Sequence, residues 1–122
     1  MNKIAGMAHI VLPGKEAASD RRNPYKFARE GTIMLIQEMI SNGADKKKIT
    51  AKIVGGAKMF ETQGKEWEIG KQNVKAVKET LLGEGVKVLA EETGRNYGRT
   101  VFFYAETGKV QVNTVKRQTI VI

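Results

Sequence analysis

The chain has 122 residues, 41% hydrophobic and 28% charged, with no cysteine, a single histidine and a formal net charge of +8. One domain with a single core fits that length, and no apolar run approaches the ~20 residues that a membrane helix requires. Composition excludes disulfides and thiolate metal sites, and one imidazole argues against a zinc centre, so neither metal nor cofactor is expected.

The apolar run at residues 4–12 ends at Pro13-Gly14-Lys15 with no small-residue cleavage site. It does not read as a secretory signal, and the expected location is cytoplasmic. The positive charge raises the question of nucleic-acid binding. Its residues lie in small, scattered groups: Arg21-Arg22, Lys46-Lys47-Lys48, then Lys71, Lys75 and Lys78, then Lys116-Arg117. No aromatic side chains interleave with them to stack bases. Solubility or an acidic protein partner is the stronger reading, with no nucleic acid and no membrane insertion.

Residues 4–12 predict a strand that is apolar on both faces. Ile4, Ala8, Ile10 and Leu12 lie on one, Met7 and Val11 with His9 on the other. Such strands are normally buried between layers, yet almost nothing precedes this one to cover it. It is expected to expose apolar surface or an unpaired edge, and so to self-associate. Among apolar neighbours an imidazole is tolerated when it is hydrogen-bonded or when its proton is used, which marks His9.

Residues 13–25 are polar, contain Gly14, Asn23 and Pro24, and predict a surface loop. A helix follows over 27–41. Phe27, Gly31, Leu35 and Met39 recur on one face, Ala28, Ile36 and Ile40 widen the stripe, and Asn42-Gly43 closes it. A strand over 49–54 is broken by Gly55-Gly56 before Ala57-Lys58-Met59-Phe60, and a loop spans 62–68. The second helix, 69–82, turns Val74, Val77 and Leu81 inward and Lys71, Lys75 and Lys78 outward, and Gly83 and Gly85 end it. A short buried strand over 86–90 leads to a turn-rich Thr93-Gly94-Arg95-Asn96-Tyr97-Gly98. Strands 99–104 and 110–115 then form a hairpin, with Gly108 in its bulged turn. The order of elements gives a mixed α+β fold, and the pattern leaves strand order open.

Gly55-Gly56 after a strand allows a sharp turn or close approach of backbone to a ligand. No Gly-Lys-Ser/Thr follows and no GxGxxG is present, so this is not a phosphate loop. On spacing alone the plainer reading is a tight turn.

Several segments together resemble one family. They are Gly6-Met7-Ala8-His9 with Leu12-Pro13, Ala51-Lys52-Ile53-Val54-Gly55-Gly56-Ala57-Lys58-Met59-Phe60, and Ile69-Gly70 with Asn73-Val74. Ala90-Glu91-Glu92-Thr93-Gly94, Asn96-Tyr97-Gly98-Arg99 and Glu106-Thr107-Gly108-Lys109-Val110 continue the likeness. The family is CheD, the chemoreceptor glutamine deamidases. The resemblance implies mixed β-sheets in a sandwich-like core covered by two main helices. It also implies a cysteine hydrolase that turns receptor glutamines into glutamates, with methyl-ester hydrolysis in some members. Its expected partners are methyl-accepting chemoreceptors and the CheC phosphatase.

An amide is a poor electrophile with a poor leaving group, so the reaction needs a strong nucleophile and a proton donor for the departing nitrogen. By resemblance His9 is the general base and acid, and Gly55, Gly56 and Asn73 belong to the pocket. In the family the nucleophilic cysteine, in a Gly-Ser-Cys turn, and a hydroxyl that orients the histidine both precede that histidine. Eight residues precede His9 here and none is cysteine. The chain therefore reads as one CheD-like domain over 1–122, truncated at its N-terminus relative to the family and inactive by itself. Ser19 and Ser41 lie in segments unlike a nucleophile turn. Other departures are Glu68-Ile69-Gly70-Lys71-Gln72-Asn73 for Asn-Ile-Gly-x-Arg-Asn, Gly94-Arg95 for a double glycine, and Arg29 for an acidic residue. They support an alternative, an inactive CheD-like module that binds receptors or CheC.

Overall fold

The computed structural model describes residues 3–14, 23–58, 68–115 and 118–122. Ser19, Arg21-Arg22, Met59-Phe60, Lys116-Arg117 and almost all of the 62–68 loop lie outside the described residues.

Helix α1 spans Ala28–Ser41, and its buried Ala28, Gly31, Thr32 and Ile36 follow helical spacing. Ile40, expected in the stripe, is 39% exposed, because the helix has turned that position past the core edge. The first turn has no side-chain cap. Instead the Ala28 N–H donates to the carbonyl of Leu12 (2.8 Å), so an incoming segment satisfies a helix-end donor. Gly31 lets that segment approach: a Cβ there would sit 2.9 Å from the Tyr25 carbonyl oxygen and 3.1 Å from Ile10 Cδ1.

Strand β1 (Thr50–Gly55), helix α2 (Ile69–Gly83) and strand β2 (Lys87–Thr93) form a β-α-β unit with β1 and β2 parallel. Ile36, Ile53, Leu81 and Val86 make its core, with Ile49, Ala51, Val77 and Val88 packed around them. β2 is longer than the short buried strand expected over 86–90. It alternates in exposure, with Leu89 53% exposed, because only one face meets the helices. Both helices end in the paired hydrogen bonds of a Schellman turn, Ala44 to Met39 with Gly43 to Ile40, and Val86 to Leu81 with Gly85 to Leu82.

Strands β3 (Arg99–Tyr104), β4 (Lys109–Thr114) and β5 (Thr119–Val121) form an antiparallel sheet in that order. The hairpin lies where the sequence places it, and β5 is an addition. β4 buries Val110, Val112 and Thr114. The Lys52 ammonium on β1 joins the two sheets, donating to the carbonyls of Gly108 (2.7 Å) and Ile122 (2.9 Å). Among the described residues, two α-helices and two small sheets make the fold α+β.

Residues 4–12 are not a ladder strand. Exposure alternates from residue 3 to residue 12, as in an extended chain, with Met7 59% and Val11 48% exposed. Among the described residues its backbone is hydrogen-bonded at the far end: the Val11 and Leu12 N–H groups donate to the Lys26 carbonyl (2.7 and 3.0 Å), and Leu12 bridges to Phe27. Among the described residues no strand pairs with residues 3–10. The expected apolar, unpaired edge is present. The expected ladder is missing because no partner strand lies alongside.

Candidate functional site

His9 lies on the exposed face of this extended segment, between Met7 and Val11. Among the described residues no group hydrogen-bonds its ring. It is therefore neither a satisfied core histidine nor packed away from solvent. An open groove of about 1030 Å³ runs beside the same segment, between residues 3–7 and the Leu35, Glu38 and Met39 face of α1. His9 is not part of its lining. Tyr25 donates to Glu38 at this groove, and that bond raises the Tyr25 pKa above the ordinary tyrosine value.

Asn73, in the first half of α2, reaches the histidine segment directly. Its Nδ2 donates to the Val11 carbonyl at 3.0 Å, two residues from His9. Its Oδ1 is buried with no hydrogen-bond partner among the described residues, as is Oε2 of Glu30 in the first turn of α1. Such orphaned acceptors carry a desolvation penalty of roughly 1–3 kcal/mol. Asn73 is tolerated with half of its amide unsatisfied because the other half holds the segment.

Gly55 and Gly56 end β1 with φ of +112° and +72°. The turn brings backbone against the start of α2: a Cβ on Gly70 would lie 2.6 Å from the Gly56 carbonyl oxygen, and one on Gly56 would lie 2.4 Å from Val74 Cγ2. The Gly55-Gly56 turn and the first turn of α2 thus touch through backbone atoms, one helical turn before Asn73. Three of the four expected site residues are linked in this way, and the fourth, His9, follows from Asn73 through Val11.

A buried ion-pair knot that sequence reasoning did not single out underlies the turn. Glu92 and Arg99 side chains are only 12% and 3% exposed, and Arg99 Nε donates to Glu92 Oε2. The Tyr97 hydroxyl donates to Glu92 Oε1 (2.8 Å), and the Arg99 guanidinium stacks over the Tyr97 ring at 4.5 Å. The Arg99 hydrogen bond, aided by Tyr97, holds the Glu92 carboxyl below the usual carboxylate range. Arg99 Nη2 also donates to the Gly94 carbonyl (2.9 Å), and the Gly94 N–H donates to the Gly55 carbonyl (2.9 Å). Gly94 and Arg95 both have positive φ, +77° and +64°. The departure from a double glycine therefore puts a Cβ-bearing residue in a left-handed position.

The basic face expected on α2 is partly neutralised. Lys71, Lys75 and Lys78 are exposed as expected, but Lys75 pairs with Glu79 (3.9 Å) and Lys78 bonds Glu91 (2.8 Å).

The CheD family model, described as CheD chemotactic sensory transduction, matches residues 11–114. A Caldanaerobacter subterraneus protein named probable chemoreceptor glutamine deamidase CheD is 44% identical over 115 residues, 93% of this chain and 71% of that protein. A Methanosarcina acetivorans protein named probable chemoreceptor glutamine deamidase CheD 1 is 42% identical over 120 residues, 98% of this chain and 74% of its own. The chemoreceptor glutamine deamidase CheD of Thermotoga maritima is 42% identical over 113 residues, 93% of this chain and 69% of its own. The α+β architecture and these matches agree, and the chain belongs to the CheD family.

Proposed function

We propose that this chain forms the histidine-bearing part of a chemoreceptor glutamine deamidase. His9 acts as general base and then general acid, and the thiol comes from polypeptide outside the 122 residues. His9 takes the thiol proton, and the thiolate attacks the glutamine carboxamide carbon. The imidazolium returns its proton to the departing nitrogen, and ammonia leaves. Water, deprotonated by the same ring, then hydrolyses the thioester to the carboxylate and restores the thiol. Methyl-ester hydrolysis follows the same steps with methanol leaving.

The observation that carries this reading is an exposed imidazole, unbonded among the described residues, on an extended segment that pairs with no strand there, in a chain 38–44% identical to named deamidases. With neither nitrogen bonded among the described residues and the residue exposed, the ring is available to a nucleophile and a carboxamide. Asn73 fixes the segment that carries His9, and Gly55-Gly56 rests against the first turn of the helix that carries Asn73. The unpaired edge at residues 3–10 is where a strand bearing the cysteine, and a hydroxyl to orient the ring, would add. The 122 residues thus form one domain that is completed by that strand. In its absence the exposed Met7 and Val11 promote self-association.

Partners are the acidic, helical parts of methyl-accepting receptors in the cytoplasm, with CheC as a second partner. Among the described residues no helix is long and apolar enough to cross a membrane. The net charge of +8 favours encounter with acidic surfaces.

The test fuses the 122 residues to the part of the Thermotoga maritima relative that lies outside the match. The fusion is assayed for ammonia release from a receptor fragment and for conversion of its glutamines to glutamates. The fusion is expected to be active, the unfused chain inactive, and His9→Gln in the fusion inactive. Full activity of the His9→Gln fusion rejects the assignment of His9.

A further inference from the structure

We propose that Arg99 is a positioning residue for the His9 segment, acting across the molecule through the Gly55-Gly56 turn and helix α2. The inference rests on the reading of His9 as the working base. It goes beyond that reading in assigning a distant ion pair to the same site.

The path is made of direct contacts. Arg99 is locked between the carboxylate of Glu92 and the ring of Tyr97, with 3% of its side chain exposed. Its Nη2 donates to the Gly94 carbonyl, and the Gly94 N–H donates to the Gly55 carbonyl, both at 2.9 Å. The Lys58 N–H donates to the Arg95 carbonyl at 2.8 Å, so the two glycines are held from both sides. Gly56 then rests against Gly70 so closely that neither position accepts a Cβ. One turn further along α2, Asn73 grips the Val11 carbonyl, and Val11 shares a strand face with His9.

Every link is a hydrogen bond or a backbone contact without slack. A guanidinium suits the first link because its planar fork serves a carboxylate and a carbonyl at once, which a single ammonium does not reproduce. A knot that served stability alone would not need to hold Gly94. Here the same side chain closes the ion pair and sets the carbonyl next to the donor that fixes Gly55.

The experiment uses the full chain, isotope-labelled for NMR, as wild type, Arg99→Met and Arg99→Lys. Exchange of the Gly94 amide reports the link to Gly55. The side-chain amide signal of Asn73 and the ring signals of His9 report the far end. The amides of Gly43 and Val86, which close the two helix caps, serve as internal controls.

Gly94 exchange is expected to accelerate about tenfold or more over the controls in Arg99→Met, with shifts of the Asn73 and His9 signals. Arg99→Lys is expected to move the same signals in the same direction by less. Arg99→Lys also decides the matter if Arg99→Met does not fold. Two results overturn the proposal. In one, Gly94 loosens while Asn73 and His9 stay fixed, which makes the knot a local stabiliser. In the other, all amides including Gly43 and Val86 accelerate equally, which makes the effect global. Neither result depends on deamidation, so failure of the fusion assay leaves this measurement standing, and the converse also holds.

Discussion

Two regions that both carry family-like sequence are held in opposite ways. The pole formed by Gly55-Gly56, Gly70 and residues 92–99 is saturated: a buried ion pair, a cation–π stack and backbone hydrogen bonds fix each part. The extended segment at residues 3–10 has exposed Met7 and His9, and among the described residues no strand pairs with it. In the proposed reading both regions serve one site. The contrast is between a part fixed by its own contacts and a segment whose exposed His9 meets no paired strand among the described residues.

The saturated pole should fail first and hardest when its charge balance is broken. Arg99→Met leaves the Glu92 carboxylate buried with only the Tyr97 hydroxyl. A destabilisation of about 3–5 kcal/mol is expected in urea unfolding, as for other buried pairs that lose one partner. Gly70→Ala comes next. Its Cβ would press on the Gly56 carbonyl oxygen at 2.6 Å, backbone that cannot swing aside, and about 1–3 kcal/mol should be lost. Unchanged stability in either variant would mean that the pole is less tightly made than its contacts indicate.

How much of this was legible beforehand differs between the two regions for physical reasons. Both helices, the hairpin and β1 are local patterns, set by the spacing of apolar residues and by the turn residues at their ends. The glycine pair was visible, but its partner Gly70 was not, because backbone approach across 14 residues leaves no mark in hydropathy. The Glu92–Arg99 pair left a signal that went unused. Both charges fall on the inward-facing positions of their strands, in line with Val88 and Ala90 in β2 and with Val101 and Phe103 in β3. A period of two placing opposite charges on apolar faces either side of a turn predicts an ion pair. The 3–12 segment was legible as extended and apolar on both faces. Its lack of a ladder depends on what lies beside it, which no local pattern encodes.

Smaller effects refine the same contrast. Arg95→Gly relieves a left-handed residue at φ +64°, restores the double glycine and should stabilise the chain by about 1–2 kcal/mol in the same unfolding measurement. A pH titration of stability gives the electrostatic counterpart. The Glu92 carboxyl is held low, chiefly by its hydrogen bond from Arg99, so folding stabilises its charged form. That contribution is complete above the ordinary glutamate value of about 4.3 and is lost as pH falls below it, through the depressed folded value. Glu92→Gln should flatten this acid limb, and an unchanged limb would assign acid sensitivity to other carboxylates.

The least stability change belongs to the open segment, and its smallness is the informative part. Met7→Ser and Val11→Ser replace side chains that are already 59% and 48% exposed, so each should shift unfolding free energy by no more than about 0.5 kcal/mol. The same pair of changes removes the apolar surface expected to drive self-association, and sedimentation at high concentration should show a lower apparent mass than for the parent chain. Stability and association would then separate, as they must if this face is built to be covered by another strand. If the double variant instead unfolds early, Met7 and Val11 already pack within the chain. The edge beside His9 would then be closed, leaving no opening through which a thiol could reach the ring.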